Sequence, residues 1–381
     1  MSDDRLTLGG RQLPVPRRAA QLAGIVVLIL FLLALPNVMS SVDISRIADA
    51  GVFILLALGL NIVVGYAGLL DLGYAAFFAI GAYTYAILAS SHFNIHIAFW
   101  PLLILSAFVA AFFGMILGAP TLRLRGDYLA IVTLGFGEIV PRVVLNLEGL
   151  TGGVNGLSAL DQPKLPAIGP FAALSFGYNP IPYYYTILVV IAICVVLIRN
   201  LQFSRLGRAW QAIREDELAA ASMGINTVTT KLMAFAMGAA FSGFAGCFYA
   251  SKLALVTPEA FGFVVSVTIL CMVVLGGMGN IAGVIVGAGL IYGLTTYVLN
   301  QLPGWIQGIS DATGFTLLNN VDFTQYNFII FGLLLITFML LRPQGLLPSR
   351  VRRAELKGGG VAGAMGATPE TVSPGGPSEI E

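Results

Sequence analysis

A chain of 381 residues that is 57% hydrophobic and only 10% charged does not have the make-up of a soluble domain, where about 25% of residues are charged. So much apolar surface calls for a bilayer as its natural solvent. The net charge of +1 gives no electrostatic case for nucleic acid, and Cys194, Cys247 and Cys271 lie inside apolar runs with no metal-ligand spacing.

The first eighteen residues, MSDDRLTLGGRQLPVPRR, form a basic arm ahead of the apolar run AAQLAGIVVLILFLLAL. That run is long for a secretory-signal core and PNVMSS is a poor cleavage site, so it reads as an uncleaved first span. Together with nine later segments it makes ten, at roughly 19–36, 47–64, 73–89, 98–118, 128–147, 183–198, 230–250, 263–278, 280–300 and 326–341. Most approach the ~20 residues a helix needs to cross about 30 Å of hydrocarbon. Lipid cannot satisfy open backbone groups, so helices are the default. The expectation is an all-α polytopic membrane protein with about ten transmembrane helices. Ten crossings put both termini and the even-numbered connections on one side. Sixteen Lys and Arg then fall on that side, against Arg46, Arg142, Lys164 and Lys252 on the other, which is the bias of cytoplasmic loops. Both termini and residues 199–230 are therefore predicted to be cytoplasmic. The chain divides into an arm at 1–18, a transmembrane domain at 19–347, and a tail at 348–381 that is basic at first and then rich in Gly, Pro and Ser.

In chain order, Asp71 (GYAGLLDLGY) lies in the cytoplasmic turn between the second and third segments, read as solvated or as a helix cap. His92 and His96 (SSHFNIH) lie in the next connection. With no acid or cysteine near them in the sequence, they read as external surface residues and not as a metal site. The fifth segment holds TLGFGEIVPRVV, with Glu138 near its middle, where a bare carboxylate costs about 2.5–3.5 kcal/mol. Arg142 is one helical turn further on, at i,i+4 spacing, and Pro141 loosens the helix between them. The pair is either a structural ion pair or the lining of a polar translocation pathway. Residues 148–182 and 301–325 are long external connections. Small residues four apart, as in Gly238–Ser242–Gly246, Gly283–Gly287 and Gly289–Gly293, predict close helix packing. No Gly-Lys pair occurs, so there is no phosphate-cradling loop, and no nucleophile with its base occurs at membrane depth. Neither a cofactor nor a metal is expected, and the chain does not read as an enzyme.

Residues 206–231, LGRAWQAIREDELAAASMGINTVTTK, form the largest charge cluster in the chain. Trp210, Ile213, Ala220 and Ala221 share a helical face, which Glu217 interrupts. Three consecutive acids make the segment unattractive to an anionic leaflet, and mixed charge against the membrane suits docking to another protein. This stretch resembles the cytoplasmic coupling segment of ABC importer permeases. More narrowly, ALGLNIVVGYAGLLDLGYAAFFAIGAY, RGDYLAIVTLGFGEIVPRVVLN, EGLTGGVNGL, KLMAFAMGAAFSGFAGCFYA and VVLGGMGNIAGVIVGA resemble the LivM-type permeases of branched-chain amino acid importers, over about residues 45–347. The general motif is Glu-Ala-Ala, three residues, then Gly. Ala219, Ala220 and Gly224 match it, while Leu218 occupies the Glu position and Glu217 stands one residue early.

The resemblance implies a type II ABC-importer-like permease bundle in a bacterial inner membrane. It implies two cytoplasmic ABC ATPase subunits, a second related permease and a soluble extracytoplasmic substrate-binding protein as partners. A coupling helix at about 205–224 is then expected to meet the ATPase through Arg208, Arg214, Glu215, Asp216, Glu217, Ala219, Ala220 and Gly224. Glu138 and Arg142 are the candidates for the translocation pathway. The same family resemblance extends to urea and short-amide permeases. A reading from another class, an ion-coupled secondary transporter, would use Glu138 as its proton site.

Overall fold

The computed structural model describes residues 5–8, 11–16, 30–121, 127–165 and 174–299, together with 332–333, 336–337 and 345–347. Among the described residues the principal helices are α1 (Ser41–Leu60), α2 (Ala75–Leu88), α3 (Phe99–Thr121), α4 (Asp127–Asn146), α5 (Pro180–Gln202), α6 (Arg205–Glu215), α7 (Glu217–Ser222), α8 (Thr227–Leu253), α9 (Phe263–Gly276) and α10 (Ile281–Gly293). Among the described residues six apolar stretches, Ser41–Tyr66, Phe99–Pro120, Tyr128–Asn146, Pro180–Gln202, Thr227–Leu253 and Pro258–Gly276, are long enough to cross a membrane. Two apolar helices, Ala75–Leu88 and Ile281–Tyr297, are shorter. These eight coincide with the second to ninth apolar segments of the sequence. The first and tenth segments lie largely outside the described residues, as do the connection 301–325 and the tail from 348.

Local chemistry explains where these helices begin. Side-chain oxygens of Ser40, Asn179, Ser204, Asn226 and Asn280 accept hydrogen bonds from first-turn amides of α1, α5, α6, α8 and α10, and Pro180 opens α5 where a missing N–H does no harm. At its far end α1 widens into a π-helical turn over Asn61–Tyr66, closed by Ala67 N–H donating to Ile62 O at 3.2 Å. The Asn61 side chain supports this turn by accepting from Gly279 N–H at 2.8 Å.

The core forms around α8, which packs along α1, α2 and α3. Gly81 of α2 and Gly243 of α8 meet backbone to backbone: a Cβ on Gly81 would lie 2.6 Å from the Gly243 Cα. Gly283 and Gly287 of α10 meet Gly276 of α9 in the same way. Close approach of this kind is how helices gain contact where lipid supplies no hydrophobic drive. A Cβ on Gly289 or Gly293, expected to serve likewise, would meet nothing within 4 Å among the described residues. Cys194, Cys247 and Cys271 are buried and unpaired.

The connections collect at two ends. At one end lie the Ala67–Tyr74 loop, the α6–α7 pair, the Gly277–Asn280 turn and residues 345–347, whose Leu347 carbonyl accepts from Asn280 Nδ2 at 2.8 Å. At the other end are short strands: β3 (Ala89–Ser90) pairs with β4 (Ile95–His96), and β5 (Leu157–Ser158) pairs with β8 (Leu255–Val256). Lys252 of α8 there grips α1, donating to Asp49 Oδ1 at 2.5 Å and to Ser45 O at 2.6 Å. Two further pairs are formed by β6 (Lys164–Leu165) with β7 (Leu174–Ser175), and by β1 (Arg5–Leu8) with β2 (Arg11–Pro16) in the N-terminal arm.

Candidate coupling segment and polar pathway

The charged stretch between α5 and α8 is not one helix. Asp216 adopts an extended backbone (φ −154°, ψ 111°) and separates α6 from α7. Its Oδ1 accepts from the amides of Leu218 at 2.8 Å and Ala219 at 3.0 Å, capping α7. Gly224 then ends α7 at φ +84°. Ile225 N–H donates to Ala220 O, and Gly224 N–H to Ala221 O. This is a Schellman closure, whose left-handed position favours glycine. The motif's glycine is thus a backbone requirement.

Three anchors hold the pair to the bundle. Trp210 is fully buried and donates from Nε1 to Thr230 O at 2.7 Å. Glu217 pairs with the buried Lys231 ammonium at 2.6 Å. Arg214 Nη1 donates to the Gly65 carbonyl at 2.5 Å. Arg208 Nη1 donates to the Phe203 carbonyl at 2.7 Å. Of the eight residues expected to meet a partner, Arg208, Arg214, Asp216 and Glu217 therefore have bonds within the chain, Ala220 is buried, and Gly224 makes the turn. Glu215 and Ala219 are exposed. Ala221, read as sharing the buried face, is exposed, because the break at Asp216 rotates α7 relative to α6. Sequence reasoning missed the apolar tip: Leu218 is 64% exposed and Met223 84%. The signal was there, in the leucine that stands where the motif has Glu.

The loop Ala67–Tyr74 lies between this segment and α4. Gly68 (φ +70°) sits against Arg214, so that a Cβ there would be 2.8 Å from the Arg214 Cγ. On the loop's other side Leu72 N–H donates to Thr133 Oγ1 of α4 at 3.1 Å, and Gly137 abuts Gly73. Asp71 corrects the reading of a solvated acid: it is 1% exposed. Its Oδ1 accepts from Gly73 N–H at 2.9 Å, while Oδ2 has no hydrogen-bond partner among the described residues. It borders a cavity of about 10 Å³ lined also by Gly73, Phe77, Leu117, Thr133 and Phe235. Burial pushes its carboxyl up from the ordinary 3.8 to about 6, against the opposing pull of the Gly73 amide.

The α4 helix turns Leu129, Ala130, Thr133 and Gly137 inward. Its other side carries Glu138 and Arg142, whose Oε2 and Nη2 are 3.7 Å apart with side chains 48% and 77% exposed. The i,i+4 pair is present, but it lies on the outer surface of this chain and not within its core. At the strand-bearing end, His96 Nδ1 lies 2.6 Å from Asp161 Oδ2. The absence of an acidic neighbour was a property of the local sequence alone, since this acid arrives from 65 residues away. Asp161 is held by its own amide, which donates to Ala89 O at 2.8 Å, and by the Tyr85 hydroxyl, which donates to its carbonyl. Among the described residues no three of His, Cys, Asp and Glu come together as a metal site.

The family model described as the branched-chain amino acid transport system permease component matches residues 44–348. The high-affinity branched-chain amino acid transport system permease protein LivM of Salmonella typhimurium is 42% identical over 339 residues, 85% of this chain and 73% of the relative. LivM of Escherichia coli is 40% identical over 357 residues, 89% of this chain and 78% of the relative. The permease protein LivH of Escherichia coli is 24% identical over 309 residues, 77% of this chain and 91% of the relative. No solved structure matches the chain.

Proposed function

Because the chain belongs to the family of branched-chain amino acid transport permease components, we propose that it forms one half of an ATP-driven import pathway, with a LivH-like second permease as the other half. Two ATPase subunits supply the energy from the cytoplasm and a soluble binding protein delivers the substrate from outside, across a bacterial inner membrane. Ten spans with cytoplasmic termini fit the distribution of Lys and Arg. In that frame the α6–α7 pair faces the cytoplasm and the strand-bearing end faces out.

The observation that carries the coupling role is the contrast within α6–α7. Its root is fixed by Trp210, Arg214 and Glu217, while Leu218 and Met223 stand free at its tip. An apolar tip on a rigid root suits insertion into a groove of a motor subunit, with Glu215, Ala219 and Arg208 at the rim. Arg214 and the Ala67–Tyr74 loop then pass the motor's movement to α4, and alternating access follows as rigid-body rearrangement. Glu138 and Arg142, on the exposed side of α4, line the route between the two permeases.

Reconstitution tests this. Liposomes holding both permeases and both ATPases, supplied with binding protein and leucine, are expected to accumulate leucine only with internal ATP. Accumulation driven by a proton gradient, with the ATPases left out, would overturn the proposal in favour of an ion-coupled carrier.

A further inference from the structure

One stripe of α4 is built unlike the rest of the bundle surface. Ile131, Glu138 and Arg142 lie along its exposed side at helical spacing, with the half-buried Gly135 in line between Ile131 and Glu138 and the exposed Ile139 beside them. Among the described residues a Cβ on Gly135 would meet nothing within 4 Å, which leaves the surface there open. The two charges sit one turn apart but only face each other at 3.7 Å, beyond direct hydrogen-bond length. Facing hydrocarbon, such charges would cost several kcal/mol. This side of α4 therefore belongs against a polar route, and an exposed ion pair of about 0–1 kcal/mol is weak enough to be opened by a passing ligand.

An α-amino acid carries an ammonium and a carboxylate on one carbon, with its side chain projecting away from both. We propose that the Glu138–Arg142 pair and the open surface at Gly135 form a transit subsite for zwitterionic aliphatic amino acids. Glu138 takes the ammonium, Arg142 takes the carboxylate, and the aliphatic side chain lies over Gly135 between Ile131 and Ile139. Each end of the zwitterion meets the opposite charge, so the substrate crosses without shedding its ionic character. The contacts remain shallow, as a transit site requires if the ligand is to leave again. The inference rests on the permease reading above.

The test uses the complete importer in liposomes, with leucine as the probe and three readouts: co-purification of the subunits, ATP hydrolysis stimulated by loaded binding protein, and leucine taken up per ATP. If the wild-type assembly imports nothing with ATP, the permease reading itself fails, independently of the subsite. With wild-type import established, Glu138→Gln and Arg142→Gln are expected to assemble and hydrolyse ATP normally, yet to lose about tenfold or more in leucine per ATP, the worth of one charge-assisted contact. Arg142→Lys is expected to recover most of the uptake. Gly135→Leu, which fills the open surface without touching either charge, is expected to lower uptake with assembly intact. Unchanged uptake in either Gln variant or in Gly135→Leu overturns the subsite. So does failure of the Gln variants to assemble, which would make the pair a bond between subunits.

Discussion

At the scale of single residues, Asp71 carries the clearest pH signature. Its carboxyl rises from 3.8 in the unfolded chain to about 6 in the folded one. A raised acid contributes stability that is full below its unfolded value and is lost as pH climbs through its folded value. The stability lost across that window is about 3 kcal/mol. Asp71→Asn is expected to raise the melting temperature of the detergent-solubilised protein at about pH 8, with the gap closing near pH 4. An equal gap at both pH values would mean that the carboxyl does not titrate in this window. Lys231 gives a second case. Its ammonium is buried and pairs with the partly exposed Glu217, so Glu217→Gln strands a charge and should destabilise by about 3 kcal/mol, the low end for a broken buried pair because Glu217 itself reaches solvent. Lys231→Met in the same chain should recover most of that loss in a double-mutant cycle followed by thermal unfolding. Neither environment was legible beforehand. Asp71 looked like any loop acid, because its burial depends on α3, α4 and α8 closing over it. Glu217 looked like a free docking charge, because Lys231 is fourteen residues away.

At the scale of elements, the candidate coupling segment is built as two short helices with a cap between them. Gly224 sits at φ +84° with open space around it, so Gly224→Ala meets no clash and measures backbone strain alone. It should cost about 1 kcal/mol, read as a lower melting temperature with little change in ATPase binding. Leu218→Asp should do the reverse. It leaves the folded permease intact and removes the ATPase subunits on co-purification; undiminished recovery of them would count against an apolar tip as the docking surface. The helical character of this stretch, and Trp210 and Ile213 as its buried face, could be read from spacing. The break at Asp216 could not, because an Asp within a run of helix formers becomes a cap only when the following helix turns away.

At the scale of the whole molecule, the arrangement of connections yields a topology test. The three native cysteines are buried, so an introduced thiol reports against a quiet background. Met223→Cys, in membranes made without the ATPase subunits that are proposed to cover it, is expected to react with a membrane-impermeant thiol reagent only in inverted vesicles. Tyr178→Cys, at a position 98% exposed, should react only in intact spheroplasts. Labelling of both from the same side would refute the topology. The six long apolar helices and the two shorter ones were legible from hydropathy because lipid enforces long apolar runs. The strand pairs at the opposite end were not, since they are two residues long and one of them, β5 with β8, joins loops about a hundred residues apart. The grip of Lys252 on Ser45 and Asp49 belongs to that end. It staples α1 to α8 at the end opposite the α6–α7 pair, and a motor docked there as proposed would pull through Arg214, near the other tip of α1. A rod pinned at one extremity and tugged at the other swings, and its sweep is widest where it is tugged. The inward mouth should therefore gape more than the outward one within each stroke, with the Lys252 staple as the fulcrum.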